Sequence, residues 1–364
     1  MNLIRDWFRR HFSDPQVLIL FFILLGGTII ILTLGRIMMP VLASVVIAYL
    51  LEGLVKFFQR HRTPRLAAVL IVFFTFIAFL VFLLFWLLPK LSLQVGQVAG
   101  ELPAMVGRGQ QQLMHLPEKY PDFISPEQVL AVVHFLQMEL GRMGQRLLGL
   151  SVASVRGLVT FLVYLVLLPL LVFFFLKDKD LILQWIGRFL PDNRALSDRV
   201  WRNVDRQIGN YIRGKFWEIL IIWAVSYLVF LFLDLRYAML VGLLVGLSVL
   251  VPYIGVTVTT LPVAMMGFFQ WGFSSQSATL IIAYGVIQLL DGNLLAPLLL
   301  SEVVNLHPVA IITAVLIFGG IWGFWGVFFA IPLATLVETV LSSWPSINTK
   351  ADSGTTITDS PKNR

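Results

Sequence analysis

Asp291 is the residue whose placement most invites chemistry. It interrupts the apolar run SATLIIAYGVIQLLDGNLLAPLLL, which is otherwise free of charge. A carboxylate at mid-bilayer depth costs about 2.5–3.5 kcal/mol on insertion scales, so it is rare there unless it has a task. Counting from Ala278 at about 1.5 Å per residue sets Asp291 about 20 Å along a helix, a little past its middle. Gly292, Asn293 and Pro297 follow. Glycine and proline loosen a helix, and the freed carbonyls then need protein or water as partners. The pattern predicts an unwound stretch lining a cavity, where Asp291 and Asn293 bind a polar solute or a proton. The competing reading is a carboxylate that caps a helix break and binds nothing.

Glu302 and His307 lie just beyond, in SEVVNLHP. His307 precedes Pro308, which predicts an extended backbone there. Its imidazole titrates near neutral pH and could couple protons, or it could simply hold a loop. Gly319, Gly320 and Gly323, with Gly326 in the same FGGIWGFWGVFF run, and the pair Gly242 and Gly246 have the small-residue spacing of closely packed helices. The alternative is a hinge, helped by Pro332. Pro252 and Gly255 in VPYIG form a second hinge candidate.

Other chemistries find no residues to carry them. Cysteine is absent, which excludes disulfides and thiolate metal sites. There is no HExxH, GxSxG or GxxxxGK[ST] motif. The expectation is a non-enzyme with no cofactor and no bound metal. The net charge is +7, but no Lys or Arg occurs between Arg236 and Lys350. No basic face of the kind nucleic acid requires is present.

The elements that must position these residues are membrane helices. Hydrophobic residues make up 58% of the 364 and charged residues 13%, about half the usual share in soluble domains. The apolar residues fall in long runs, and about 20 such residues span a bilayer as helix. Spans are expected at 16–34, 37–51, 66–88, 152–176, 216–233, 237–251, 278–298 and 308–342. That is an all-α polytopic membrane protein of about eight spans, some broken or re-entrant. The piece 256–271, with Pro262 inside, reads as bent or re-entrant. The first apolar stretch is too long for a signal-peptide core and lacks a small-x-small cleavage site, so it reads as an uncleaved span.

Lys and Arg concentrate in 52–65 and in 177–215, which predicts that these segments and both termini face the cytoplasm. The organisation then reads as spans one to three in 1–88, an outer segment 89–151, a core 152–345 and a disordered polar tail 346–364. In the outer segment Leu91, Val95, Val98, Leu102 and Met105 repeat at 4-3-4-3 spacing. After a cap signal at Ser125, Val129, Val133, Leu136, Leu140, Met143, Leu147 and Leu150 do the same. Two such helices make an extracytoplasmic αα-hairpin, packed on itself or reaching a neighbouring subunit. On the inner side 197–215 reads as an amphipathic helix. It either lies among the lipid headgroups or leads into the next span.

In order along the chain stand FFFLKDKD (173–180), YIRGK (211–215), VPYIG (251–255), DGNLLAPLLLSEVVNLHP (291–308) and FGGIWGFWGVFFAIPLATL (318–336). This series resembles the autoinducer-2 exporter family, and within it the PerM-type permeases. The likeness covers nearly the whole chain up to about Trp344. It implies a multi-pass inner-membrane permease or exporter with both termini inside, assembled as a homo-oligomer, with a pentamer as the expected form. It carries Asp291, Asn293, Pro297, His307 and Pro308 over as the family's central break, and Arg213 and Gly214 as its cytoplasmic motif. Ser301 stands where many members have glycine, and Leu298 where a basic residue often follows the proline. The missing cation argues against a shared anionic solute.

Three functions compete. The first is secondary export of a small polar organic solute past Asp291. The second is a monovalent cation/proton antiporter, a role described for some relatives. It ought to need more than one buried carboxylate, and the sequence offers one good candidate. The third is a non-transporting membrane scaffold, which would have no need of a polar break within a span.

Overall fold

The computed structural model describes residues 15–114, 155–189, 195–300 and 306–343, with scattered positions between 125 and 138. All regular structure among them is helical. Helix α1 (Pro15–Arg60) runs through both of the first two expected spans without the turn anticipated near Gly35 and Arg36. Its 46 residues make a rod about 69 Å long, more than twice a bilayer core of roughly 30 Å. A lone glycine costs a helix only about 1 kcal/mol, too little to end it. Pro40 is tolerated inside, and Ser44 Oγ donates to its carbonyl at 2.6 Å.

Helix α2 (Arg65–Phe82) passes through a π turn (Leu83–Leu87) into α3 (Leu88–Met114). The expected border between span and outer segment is therefore continuous helix. The π turn stands two residues before Pro89. Proline lacks an N–H and its ring crowds the carbonyl four residues back, and a widened turn relieves both problems. The 4-3 stripe of α3 faces inward, with Leu91, Val95, Val98 and Leu102 half-buried and Met105 buried. It docks on the body of its own chain. Gln94 Oε1 accepts from the N–H of Leu240 at 3.0 Å, and Glu101 pairs with Arg236 at 3.3 Å. Of the expected second arm, Val129 donates its N–H to Ser125 O, and both Val129 and Val133 are buried. Leu136, Leu140, Met143, Leu147 and Leu150 lie outside the described residues.

Helix α4 (Val155–Lys177) packs against α1 and α2 through Val55, Val69, Val72, Val172 and Leu176. A bend of 77° at Asp178 leads into α5 (Lys179–Gly187), which has no buried residue. Arg65 pairs with Asp180 at 3.0 Å, and Lys179 with Glu52 at 3.6 Å. Both ends of the first basic segment, at Glu52 and Arg65, thus meet the start of the second at one end of this bundle.

Helix α6 (Ala195–Phe232) is one rod of 38 residues. The anticipated surface helix 197–215 is its first half and does not lie apart from the span. Val204, Tyr211 and Ile212 are buried, and the last two pack against Leu300, Ile311 and Ile331 instead of lipid. Helix α7 (Ala238–Ser248) lies against α6, where a Cβ on Gly242 would stand 2.9 Å from Tyr227 N and one on Gly246 2.7 Å from Trp223 Cβ. That is the close-packing role of the glycine pair.

Helix α8 (Ile254–Trp271) is a single 18-residue helix that accommodates Pro262, so the piece expected to bend is long and apolar enough to cross. Helix α9 (Ser275–Leu290) begins at a Ser274 cap and continues through a second π turn (Asp291–Leu295) into α10 (Ala296–Leu300). The last expected span, 308–342, is instead three helices: α11 (Pro308–Trp322), α12 (Phe324–Phe328) and α13 (Ala330–Ser343). The chain turns at Gly323, whose φ of +60° suits glycine. It then packs α13 and α11 together through Ala314, Val315 and Ala330, with Phe318 and Val327 alongside. Among the described residues five helices have the length and composition to cross, six if α4 and α5 count as one bent span. The expected eight is approached through two shorter apolar helices, α7 and α11.

Two of the expected hinge glycines are points of close contact. A Cβ on Gly255 would sit 1.7 Å from Ser248 O, and one on Gly326 1.8 Å from Phe318 O. Both neighbours are backbone, so neither can swing aside. Gly255→Ala should therefore lower thermal stability in detergent and yield. An unchanged melting temperature would restore Gly255 as a free hinge.

Candidate functional site

The second π turn repeats the logic of the first. It ends two residues before a proline, Pro297, and the N–H of Ala296 reaches back five residues to the carbonyl of Asp291. The helix is widened there, not unwound as the sequence predicts, because one π turn is enough to absorb the proline. Such turns are frequent at functional sites. This one presses the Asp291 side chain inward, leaving it 6% exposed.

Asp291 lines a cavity of about 670 Å³. Gln288, Gly292, Ala296 and Pro297 contribute from the same helical run, and Val256 and Thr257 from α8. Pro252 and Tyr253 close it from the α7–α8 turn. Tyr253 holds φ at +63° and ψ at −50°, a strained conformation for a residue with a Cβ. Facing Asp291 from α6 are Lys215 and Glu218, a pair 2.9 Å apart and 3% and 2% exposed. Gly214 positions them. A Cβ there would stand 2.7 Å from Leu299 O, so glycine lets α6 lie directly on α10.

Asp291 Oδ1 is buried with no hydrogen-bond partner among the described residues, and neither atom of the Gln288 amide has one. An unsatisfied buried polar atom costs about 1–3 kcal/mol, more when charged. Here these atoms sit around an open volume that can hold a ligand.

The structure divides the sequence-derived candidates. Asp291, Gly292, Pro297 and Pro252 line the cavity. Asn293 does not; it is exposed, and its Nδ2 donates to Leu289 O at 2.8 Å. His307 caps α11, accepting the N–H of Val309 on Nδ1 at 3.3 Å, in the extended conformation expected before Pro308. It is exposed and stands outside the cavity lining, which fits a local cap. Arg213 donates to Asn210 Oδ1 at 2.7 Å. Gly320 is exposed and unconfined, while Gly319 would crowd Val327. Glu302 lies outside the described residues.

Sequence reasoning missed Lys215 and Glu218. Lys215 read as the end of a basic loop and Glu218 as the edge of a span. The available signal was their i, i+3 spacing on one helix with Glu218 already inside the apolar run. Glu218 is a second buried carboxylate, so the objection to cation/proton exchange that rested on a single one no longer holds.

Long apolar helices around a polar, charge-bearing cavity have the architecture of a multi-pass membrane transport protein. The chain belongs to the AI-2E family of transporters, whose profile matches residues 18–346. It is 42% identical over 345 residues to PerM of Escherichia coli (strain K12), named as a candidate permease, covering 95% of this chain and 98% of that protein. It is 22% identical over 313 residues to YrrI of Bacillus subtilis (strain 168), a candidate transport protein, covering 85% and 87%. A candidate transport protein of Synechocystis is 27% identical over 311 residues, or 83% of this chain and 76% of that one.

Proposed function

We propose that this membrane transporter is a secondary exporter that moves a small polar organic solute through the cavity at the Asp291 π turn. The observation that carries the reading is that cavity: about 670 Å³, with a buried carboxylate oxygen free to take a donor. Small-molecule sites commonly measure about 300–1,000 Å³, whereas a bare monovalent ion needs only a tight shell of oxygens. The test is efflux from proteoliposomes with a panel of polar metabolites. Ala296→Phe, which fills the cavity without altering charge, should stop the flux of any transported solute by at least about tenfold. Undiminished flux would place the path elsewhere.

Monovalent cation/proton antiport is the second reading, favoured by a second buried carboxylate at the cavity, Glu218. In that case Ala296→Phe leaves a small ion's flux largely intact, and sodium or a pH gradient drives it.

We further place the protein in a bacterial inner membrane, with both termini cytoplasmic and as a homo-oligomer, a pentamer by family resemblance. The orientation rests on the basic segments that meet at Arg65 and Asp180. In a background free of cysteine, Gln111→Cys should react with an impermeant thiol reagent on intact cells, and Asp192→Cys only after lysis. The reverse pattern inverts the topology.

A further inference from the structure

The charges around the cavity do not cancel, and the surplus has a definite size. Lys215 is committed to Glu218 at 2.9 Å, and the two neutralise each other. Asp291 remains. No Lys or Arg occurs between Arg236 and Lys350, so α7 to α13 hold no base to meet it except His307, which is exposed and caps α11. Arg213 of α6 donates to Asn210 Oδ1 at 2.7 Å, and among the described residues lining the cavity Lys215 alone is basic. Tyr211 of α6 packs against Phe328, and Tyr284 of α9 hydrogen-bonds Thr259 and the Val256 carbonyl. Tyr253 lies on the lining, and Glu338 of α13 is acidic and exposed. Asp291 Oδ1 itself is buried without a partner among the described residues.

Building on the reading of this cavity as a solute path, we propose that Asp291 makes it a site for a monovalent organic cation, exchanged one for one with a proton. An isolated carboxylate in a low-dielectric site is neutralised, by a proton or by a counter-charge. The empty site holds the proton on Asp291. A solute bearing an ammonium group displaces that proton and pairs with the carboxylate. Val249, Val256, Leu300, Ile311 and Ile331 supply apolar walls for the rest of the molecule. Each loaded form carries one positive charge against one negative, so neither state leaves charge stranded in the membrane. The Gln288 amide, lacking partners on both of its polar atoms among the described residues, can turn its oxygen or nitrogen to the solute.

The test uses the full chain in detergent at near-neutral pH, weakly buffered with an indicator dye. Choline and benzyltrimethylammonium are the cationic probes, and 3,3-dimethylbutan-1-ol is the neutral isostere of choline. A parallel sample is treated with dicyclohexylcarbodiimide, which modifies protonated carboxyls in apolar surroundings. The cations at millimolar concentration are expected to release about one proton per chain and to slow carbodiimide labelling, while the alcohol does neither. Asp291→Asn should show neither proton release nor the protectable labelling. Equal protection by the alcohol, without proton release, overturns the cationic solute but leaves the cavity as a path for a neutral one. Absence of both effects with either cation also overturns it. Only undiminished solute flux in Ala296→Phe would overturn the path beneath it.

Discussion

Asp291→Asn should insert, fold and assemble as the parent does, yet lose solute flux by about ten- to a hundredfold. The size follows from what is removed. A hydrogen bond to a charged group contributes about 1.5–3 kcal/mol, and each 1.4 kcal/mol is a factor of ten in an equilibrium or a rate. The substitution keeps shape and volume while removing the ionisable oxygen, so a packing defect is a poor account of any loss. Nor does the fold depend on that charge. Asp291 accepts the Ala296 N–H through its backbone carbonyl, which asparagine retains, and Oδ1 has no structural partner among the described residues. Proteoliposome efflux at several pH values, beside a thermal melt and a size measurement, separates the possibilities. Full flux with an unchanged pH profile would remove Asp291 from the mechanism and leave the Lys215–Glu218 pair as the polar centre. A drop in melting temperature matching the drop in flux would make the residue structural.

The parts legible in the sequence and the parts that were not differ for physical reasons. Asp291 was legible because a lone carboxylate in an apolar run is costly, and cost leaves a visible exception. The 4-3 stripe of Leu91 to Met105 was legible as a buried face because helical periodicity is local. What it faces was not, since Leu240, Arg236 and Phe269 come from far along the chain. Gly35 and Arg36 suggested a turn, yet neither residue prevents a helix, and α1 continues through them. Pro297 promised a break and produced a π turn, because a proline needs only one widened turn when nothing else opposes the helix. Lys215 misled most. Basic residues near a span boundary normally mark a wet loop, and only the contact of α6 with α10 at Gly214 reveals that this one is enclosed.

That enclosure makes the Lys215–Glu218 pair the most consequential structural interaction near the site. Both side chains are nearly inaccessible, and each is the other's charge partner. Removing one partner of a buried ion pair typically costs about 3–5 kcal/mol, mostly because the survivor is left charged and unpaired. Lys215→Met should therefore destabilise the protein by about that much, seen as a large fall in the melting midpoint in mild detergent. Replacing both partners removes the stranded charge. Lys215→Met combined with Glu218→Leu is expected to recover most of the lost stability, since a well-packed apolar pair is often neutral or better at such a position. The same double variant probes transport independently of folding. With Lys215 and Glu218 both gone, the cavity still holds one uncompensated carboxylate, Asp291. If the pair only holds α6 against α10, flux and its pH dependence return along with stability. If the pair takes part in coupling, stability returns and flux does not. A double variant as unstable as Lys215→Met alone would show that the stabilising role of the pair lies in its geometry rather than in charge cancellation.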